Sequence, residues 1–114
     1  MVIPRGYVPD RGDLIWINFN PQSGREQAGR RPALVLSPAK YNGRVGLALL
    51  CPITRHAKGY PFEVPLASSG IEGVVLSDHV KSLDWDLRDA EFVGKAEVAA
   101  VRLVLKNIEK LIGE

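Results

Sequence analysis

A change of hydrophobic period near residue 97 restricts the choice of folds. Before it, apolar residues occur in short runs bounded by glycine, proline, asparagine and aspartate, which is typical of β-strands joined by turns. After it, apolar residues recur every three or four positions and predict an amphipathic helix with the apolar stripe Val98, Val101, Leu105, Ile108 and Ile112. Short strands followed by one helix favour a mainly β fold with a C-terminal helix, which packs against a small, strongly bent antiparallel barrel.

The predicted strands are separated by turn residues that fix several pairings. Asn42-Gly43 is the strongest short hairpin signal and predicts that the strands on either side of it pair antiparallel. Pro65 restricts its own strand to a place near the sheet edge, because proline cannot donate to the ladder. Residues 83–85 are predicted to form a tight corner. The predicted strands are residues 14–19, 33–36, 45–51, 62–66, 74–80 and 91–94.

Length and composition limit the class of protein. With 114 residues the chain is predicted to form a single domain, residues 1–114. Its single cysteine, Cys51, excludes an internal disulfide and lies in an apolar run, so a buried core thiol is a more typical role than a nucleophile. We find no signal-peptide pattern and no apolar run of about 20 residues, so we predict a cytoplasmic protein that does not bind membranes.

Cations gather in the loop before the second predicted strand and in the loop after the third, although the net charge of the chain is only +2. Pro32 forces Arg31 towards extended geometry, at the point where the first of these loops becomes a strand. A guanidinium fixed there can bind a phosphate with two donors. The alternative is that Arg31 only ends a solvated loop, because basic surface residues are common.

Antiparallel pairing of the second and third strands places the start of one beside the end of the other. Arg31 and Thr54 are therefore expected at the same end of the sheet, with Glu26 close by in sequence. Such a group is suited to phosphoryl transfer without a metal. The guanidinium stabilises developing charge, the hydroxyl donates to a non-bridging oxygen, and the carboxylate accepts a proton from an attacking hydroxyl.

Other chemistries have weaker support in the sequence. Its two histidines and one cysteine lack the spacing of metal ligands, and no glycine-rich nucleotide-binding fingerprint or nucleophile elbow is present. His56 and His79 leave open an acid–base pair that cleaves RNA, because histidine titrates in a useful range. The alternative is that each is a solvated surface side chain.

Several segments match those of one known family, in the same order and at like spacing. They are GDLIWINFNP at residues 12–21, EQAGRRP at 26–32, ALVLSP at 33–38, CPIT at 51–54 and KGYPF at 58–62. Residues 73–81 and the closing helix fit as well. Over nearly its whole length the chain resembles the MazF/PemK family of toxin endoribonucleases.

The resemblance implies an SH3-like antiparallel barrel of the MazF/CcdB type that forms a homodimer. It implies sequence-selective cleavage of single-stranded RNA, chiefly mRNA, without a metal or other cofactor. It also implies a cognate antitoxin whose flexible tail occupies the RNA groove. Attack by the 2′-hydroxyl of the RNA would leave a 2′,3′-cyclic phosphate and a 5′-hydroxyl, which restricts the reaction to RNA.

The resemblance also assigns site residues. Arg31 and Thr54 match the catalytic pair of the family, and Glu26 matches a supporting residue. The residues predicted to bind RNA are Arg25, Gln27, Arg30, Arg55, His56, Lys58, Asn18, Asn42, His79 and Lys81.

Three positions depart from the family pattern. Arg30, Asn18 and His79 stand where the family commonly has histidine, aspartate and glutamine, which leaves the recognised RNA sequence open. Two alternative functions remain. One is a non-catalytic toxin of the same fold that inhibits a topoisomerase. The other is an SH3-like peptide-binding module, although the loop arginines and the scarcity of aromatic residues count against it.

Overall fold

The computed structural model describes residues 6–19 and 29–113, and in this part of the chain it confirms a mainly β fold with a C-terminal helix. The elements, in chain order, are β1 (Asp13–Asn18), β2 (Arg30–Val35), α1 (Ala39–Val45), β3 (Leu47–Thr54), β4 (Glu63–Ser68), β5 (Ile71–Leu76), a 3-10 turn (Ser77–His79), β6 (Lys81–Asp84), β7 (Glu91–Lys95) and α2 (Val98–Ile112).

Strand β3 organises the sheet, because it pairs antiparallel with β2, β5 and β6. The strand order is β4-β5-β3-β2-β1-β7. β6 is not part of this linear order and pairs with β3. β6 pairs with the first half of β3, whereas β5 pairs with its last two residues, Ile53 and Thr54. This change of partner bends the sheet along β3. β4 lies at an edge, as Pro65 predicted.

The turn between β4 and β5 reaches across to β7, at the other end of the strand order. The Ser69 hydroxyl donates to the backbone carbonyl of Lys95 at 3.5 Å. Gly94 permits this approach, because a Cβ at that position would overlap the Ser69 side chain. The sheet therefore curls into a half-barrel, which confirms the bent antiparallel architecture.

Both faces of the central strands are buried, which explains their unbroken apolar runs. On one face Leu14 and Leu34 pack in a cluster with Val104 of α2. On the opposite face Ile15 belongs to a second cluster that contains Trp85. Because successive side chains of a strand point to opposite faces, β1 and β2 contribute to both clusters.

The predicted hairpin at Asn42-Gly43 is wrong, because both residues lie in α1. The Asn42 side chain is fully buried and donates to the backbone carbonyls of Pro9 at 2.8 Å and Ser37 at 2.9 Å. In return the Ser37 hydroxyl donates to Asn42 Oδ1 at 2.6 Å. This satisfied buried network outweighs the local turn preference. Gly46 ends α1 with a φ of 86°, and β2 and β3 still pair antiparallel as predicted.

Asn42→Ala is expected to lower the free energy of unfolding by about 2–4 kcal/mol, because it leaves several buried polar groups unpaired at about 1–3 kcal/mol each. Urea denaturation measures the change. The matched control is Lys40→Ala, an exposed substitution in the same helix that should alter stability by less than about 0.5 kcal/mol. Equal effects of the two substitutions would contradict a structural role for the network.

Helix α2 spans the predicted residues, but the predicted apolar stripe is confirmed only at Val101, which is buried, and at Ile108, which packs against the core. Val98, Leu105 and Ile112 are 65%, 37% and 81% exposed. One buried residue of α2 is polar, since Asn107 donates to the Ser77 hydroxyl at 3.2 Å, so the buried face includes a position that the apolar pattern leaves out. Neither helix of the described residues is long and apolar enough to cross a membrane. The buried residues of α2 are Ala100, Val101, Val104 and Asn107.

Two boundaries in the second half of the sheet also differ from the prediction. Residues 74–80 do not form one strand, because β5 ends before the 3-10 turn. Ser77 explains the break: its backbone N–H and its hydroxyl both donate to the carbonyl of Phe62, at 3.0 and 2.6 Å. Residues 83–85 are not a corner, since Leu83 and Asp84 belong to β6 and the turn follows them.

Candidate active site on two adjoining clefts

β2 and β3 bring Arg31 and Thr54 together. Their antiparallel register ends at the pair Ala33 and Pro52, and Arg31 and Thr54 each lie two residues beyond that pair, at the same end of the sheet. Both side chains line two adjoining clefts of about 250 and 230 Å³. The predicted proximity of Arg31 and Thr54 is therefore confirmed, while their catalytic roles stay predictions.

The two clefts meet at a ridge formed by Arg31, Thr54 and His56, which line both of them. We call the larger one the Trp16 cleft and the smaller one the Tyr60 cleft. Beyond the ridge, the Trp16 cleft is lined by Trp16, Arg30, Pro32, Ile53, Arg55, Gly70, Ile71 and Glu72. The Tyr60 cleft is lined by Lys58, Tyr60, Glu63, Leu76 and His79. Cations therefore border both clefts, and an anion on the ridge would be close to several of them.

Thr54 is held in a fixed position at the end of β3. It is buried, and its Oγ1 accepts a hydrogen bond from the backbone N–H of His56 at 3.1 Å. A hydroxyl that accepts one bond can still donate its own proton to a ligand. Gly73 of β5 lies against the backbone of Thr54, because a Cβ there would overlap the Thr54 carbonyl oxygen and lie 2.9 Å from the carbonyl carbon.

Gly73→Ala is expected to lower the free energy of unfolding by about 1–3 kcal/mol, because the new Cβ forces the Thr54 backbone to move. The matched control is Gly46→Ala, where φ is also positive but no atom lies within 4 Å of the added Cβ. That control should cost only the backbone strain of about 1 kcal/mol. Urea denaturation of both variants measures the difference, and equal losses would contradict the close approach of β5 to Thr54.

Side-chain hydrogen bonds hold the loop after β3. Glu63 accepts hydrogen bonds from the backbone N–H groups of Lys58 and Gly59, each at 2.8 Å. The Tyr60 hydroxyl donates to Asp78 Oδ1 at 2.8 Å. Burial, followed by the contact with Asp78, raises the pKa of Tyr60 to about 12, so the phenol keeps its proton at neutral pH. The Tyr60 cleft is therefore bordered by a phenol that is held in place by Asp78 and is protonated at neutral pH.

The predicted site residues other than Arg31 and Thr54 divide into four groups, the last of which is Asn42 alone. Around the clefts lie Arg30, Arg55, His56, Lys58 and His79. Asn18, opposite Arg30 on β1, and Lys81, in β6, do not line either cleft, and their roles stay predictions. Arg25, Glu26 and Gln27 lie outside the described residues.

The prediction that Asn42 binds RNA is wrong. Its side chain is 0% exposed, and its amide is bonded to the backbone carbonyls of Pro9 and Ser37. No surface ligand can reach it. Because Asn42 is buried within α1 and is not exposed in a hairpin turn, it cannot contact a ligand at the surface.

Sequence reasoning missed Trp16 as a site residue. It is 39% exposed on β1 and lines the Trp16 cleft. The available signal was its place between Ile15 and Ile17, which are buried on the opposite face of β1. An exposed tryptophan beside arginines is a typical platform on which a nucleobase stacks.

Cys51 has the core role that its sequence context predicted. Its side chain is fully buried, and burial raises the pKa of the thiol to about 12. At neutral pH the thiolate, which is the nucleophilic form, is therefore scarce.

Comparisons with known proteins agree with the predicted family. A family model described as "PemK-like, MazF-like toxin of type II toxin-antitoxin system" matches residues 10–112. The Endoribonuclease toxin MazF of Escherichia coli (strain K12) is 50% identical over 107 residues, which cover 94% of this chain and 96% of that protein. The Endoribonuclease toxin ChpB of the same strain is 37% identical over 109 residues, 90% of this chain and 93% of that protein.

Solved structures give the same result. The crystal structure of MazF from Deinococcus radiodurans has a TM-score of 0.91 at 56% identity, with 95% of this chain and 99% of that chain covered. MazF in a MazE–MazF crystal structure from the same organism has a TM-score of 0.83 at 51% identity, with 94% and 97% covered. MazF and ChpB of Escherichia coli are both named endoribonucleases, which is the enzyme class that the sequence predicted. The chain therefore belongs to the PemK-like, MazF-like family of toxins of type II toxin–antitoxin systems.

Proposed function

We propose that this chain is an endoribonuclease toxin that cleaves single-stranded mRNA at selected sequences without a metal ion. In the proposed reaction the 2′-hydroxyl of one ribose loses its proton and attacks the adjacent phosphorus. The bond from phosphorus to the 5′-oxygen of the next nucleotide breaks, and this oxygen takes up a proton from water. The products are a 2′,3′-cyclic phosphate and a 5′-hydroxyl. The RNA supplies the nucleophile, so DNA, which lacks the 2′-hydroxyl, is not a substrate.

The observation that carries this proposal is the ridge between the two clefts. A phosphate on the ridge would meet the guanidinium of Arg31 and the hydroxyl of Thr54, which come from different strands. Arg31 would stabilise the negative charge that develops on the equatorial oxygens of the pentacoordinate phosphorane, and Thr54 would donate to one of these non-bridging oxygens. Arg55 and Lys58 extend the positive charge into the clefts, which suits a polyanion on either side of the scissile bond.

Glu26 completes the proposed machinery. We assign it the role of accepting the proton of the attacking 2′-hydroxyl, because it matches the supporting glutamate of the family. Cleavage by closely similar proteins supports the enzyme class, since the MazF of Escherichia coli that is 50% identical is named an endoribonuclease.

Incubation of the purified protein with a long single-stranded RNA in excess EDTA tests the proposal. We expect cleavage to persist and to leave cyclic phosphate ends, which mass spectrometry identifies. An oligonucleotide with one 2′-deoxy sugar at the scission point should resist, while its all-ribose twin is cut. RNA that stays intact under all conditions, or equal cleavage of the two oligonucleotides, would contradict the proposed reaction.

We also propose two partners. A cognate antitoxin would insert a flexible tail into the clefts and compete with RNA for the same cations, and a second copy of the chain would form a homodimer. The MazE–MazF crystal structure from Deinococcus radiodurans, in which the toxin is 51% identical, supports the first. Sedimentation equilibrium should give the mass of a dimer, and added antitoxin should stop cleavage. Because the substrate is mRNA, we propose action in the cytoplasm.

A further inference from the structure

One face of the β7-β1-β2 sheet carries a set of polar and aromatic side chains beside the Trp16 cleft. The register pairs Trp16 with Glu91 of β7 on one side and with Pro32 of β2 on the other. It also pairs Asn18 with Arg30. Directly paired residues of antiparallel strands point to the same face. Trp16, Arg30 and Glu91 therefore lie on one face of the sheet, where Trp16 and Arg30 line the Trp16 cleft and Glu91 lies beside Arg30 outside it.

The Arg30 and Glu91 side chains hold each other in place. Arg30 Nη2 donates to Glu91 Oε1 at 3.1 Å and to the backbone carbonyl of Asp89 at 2.9 Å. Asp89 has a φ of 53°, an unusual value for a residue other than glycine, and its carbonyl points at the guanidinium. The pair is solvent-accessible, with side-chain exposures of 39% for Arg30 and 72% for Glu91.

The contact leaves both partners with unused hydrogen-bonding capacity. Within residues 6–19 and 29–113, Nε and Nη1 of Arg30 and Oε2 of Glu91 have no assigned partner. A fixed donor and a fixed acceptor therefore lie next to an exposed aromatic ring. Such a set resembles the way in which proteins read a single-stranded base, by stacking on its face and hydrogen bonding along its edge.

We propose that Trp16, Arg30 and Glu91 form a guanine-specific subsite that helps to choose the cleaved sequence. The guanine ring would stack on the Trp16 indole. Its N1–H and N2–H groups would donate to the Glu91 carboxylate, and its O6 would accept from Arg30. This inference rests on the proposed RNA-cleaving function, and it adds a specificity site beyond the ridge where the chemistry occurs.

Guanine fits this set better than the other three bases do. Its Watson–Crick edge offers two adjacent donors, which match the two oxygens of one carboxylate, and an acceptor next to them for the guanidinium. Uracil offers a single ring donor, and adenine and cytosine each offer only an exocyclic amino group along the corresponding edge. Guanine is therefore the only one of the four bases that can donate two hydrogen bonds to the Glu91 carboxylate along this edge.

Cut-site mapping on a pool of random single-stranded RNA tests the proposal with the full chain. The wild type should enrich guanine at one position near the cut, and Glu91→Gln should reduce that enrichment on the order of tenfold, as expected for a lost bidentate contact. Glu109→Gln, an exposed substitution on α2, is the matched control and should keep the enrichment. Absence of guanine enrichment in the wild type, or unchanged enrichment in Glu91→Gln, would overturn the proposal.

Inosine gives a second readout that a purely structural role for Glu91 would not change. Replacing the enriched guanosine with inosine removes the N2 amino group. We expect the kcat/KM of the wild type to fall about tenfold on this replacement, and that of Glu91→Gln to change much less. Equal sensitivity of the two proteins to inosine would show that Glu91 does not contact the base.

A binding experiment separates this inference from the proposed reaction. Selection of bound sequences from a random 2′-fluoro RNA pool, which has no attacking hydroxyl, should show the same guanine preference and the same loss in Glu91→Gln. If the protein binds guanine in this way but does not cleave RNA, the subsite stands and the proposed reaction fails. If it cleaves RNA without guanine preference, the reaction stands and the subsite fails.

Discussion

Arg31→Ala is expected to lower the rate of RNA cleavage by about 10³-fold or more, the scale of an arginine that stabilises a phosphoryl transition state. Arg31 stands on the ridge that both clefts share, where its charge faces the reacting phosphate in the proposed reaction. Single-turnover cleavage of a short RNA at saturating protein measures the chemical step apart from binding. Retained activity would remove Arg31 from the mechanism.

Two further substitutions are controls for Arg31→Ala. Arg31→Lys keeps the charge but loses the planar fork of donors, so it should restore only part of the rate. Arg102→Ala removes a cation from the exposed surface of α2 and should leave the rate unchanged. Because Arg31 lies at the border of the sheet and is only half-buried, circular dichroism should show a native fold in all three proteins.

Thr54→Val should lower the rate by about 10²–10³-fold, the effect of removing one donor to a developing oxyanion. Valine preserves the shape of the buried side chain but has no hydroxyl, so the cost to packing is small. It also leaves the His56 N–H without the Oγ1 acceptor at 3.1 Å. The same single-turnover measurement gives the loss.

Thr54→Ser is the matched control for the hydroxyl. It keeps the donor and the bond to His56 and loses only a methyl group, so its rate should stay within about tenfold of the wild type. If Thr54→Val and Thr54→Ser were equally active, Thr54 would act only through packing, and the donor role proposed for it would be excluded.

Sequence reasoning succeeded where the determining contacts are close in the chain. The meeting of Arg31 and Thr54 could be predicted because β2 and β3 are consecutive strands, so that antiparallel pairing alone decides which ends meet. The edge position of β4 followed from the chemistry of Pro65. The extent of α2 followed from its helical period.

It failed where distant residues determine the outcome. Asn42-Gly43 has the local preference of a turn, yet the carbonyl of Pro9 and the hydroxyl of Ser37 give Asn42 a buried network that only the folded chain assembles. The buried face of α2 likewise includes Asn107, whose hydrogen-bond partner Ser77 lies thirty residues earlier in the chain. The spacing of apolar residues along the chain gives no information about these hydrogen-bond partners.

The candidate active site shows the same difference between contacts of neighbouring strands and contacts of residues far apart in the chain. Arg31 and Thr54 belong to neighbouring strands, whereas Trp16 and Glu91 meet only because β1 pairs with β7 across most of the chain length. No local pattern links a tryptophan in the first strand to a glutamate in the last. The Arg30–Glu91 contact at 3.1 Å became visible only when that pairing was known.

The pairing of β3 with three other strands has a consequence for local unfolding of the sheet. β3 pairs with β6 over Leu47–Leu50, with β2 over Leu50–Pro52 and with β5 at Ile53 and Thr54, so a partner strand covers it along its whole length. Its amides therefore exchange with solvent only when strand pairs of the sheet separate. Deuterium uptake should therefore be slowest along Leu47–Thr54 and approach the global unfolding limit. The Thr54 hydroxyl would then be anchored to a protected strand, and thermal fluctuation could not easily displace it from the scissile phosphate.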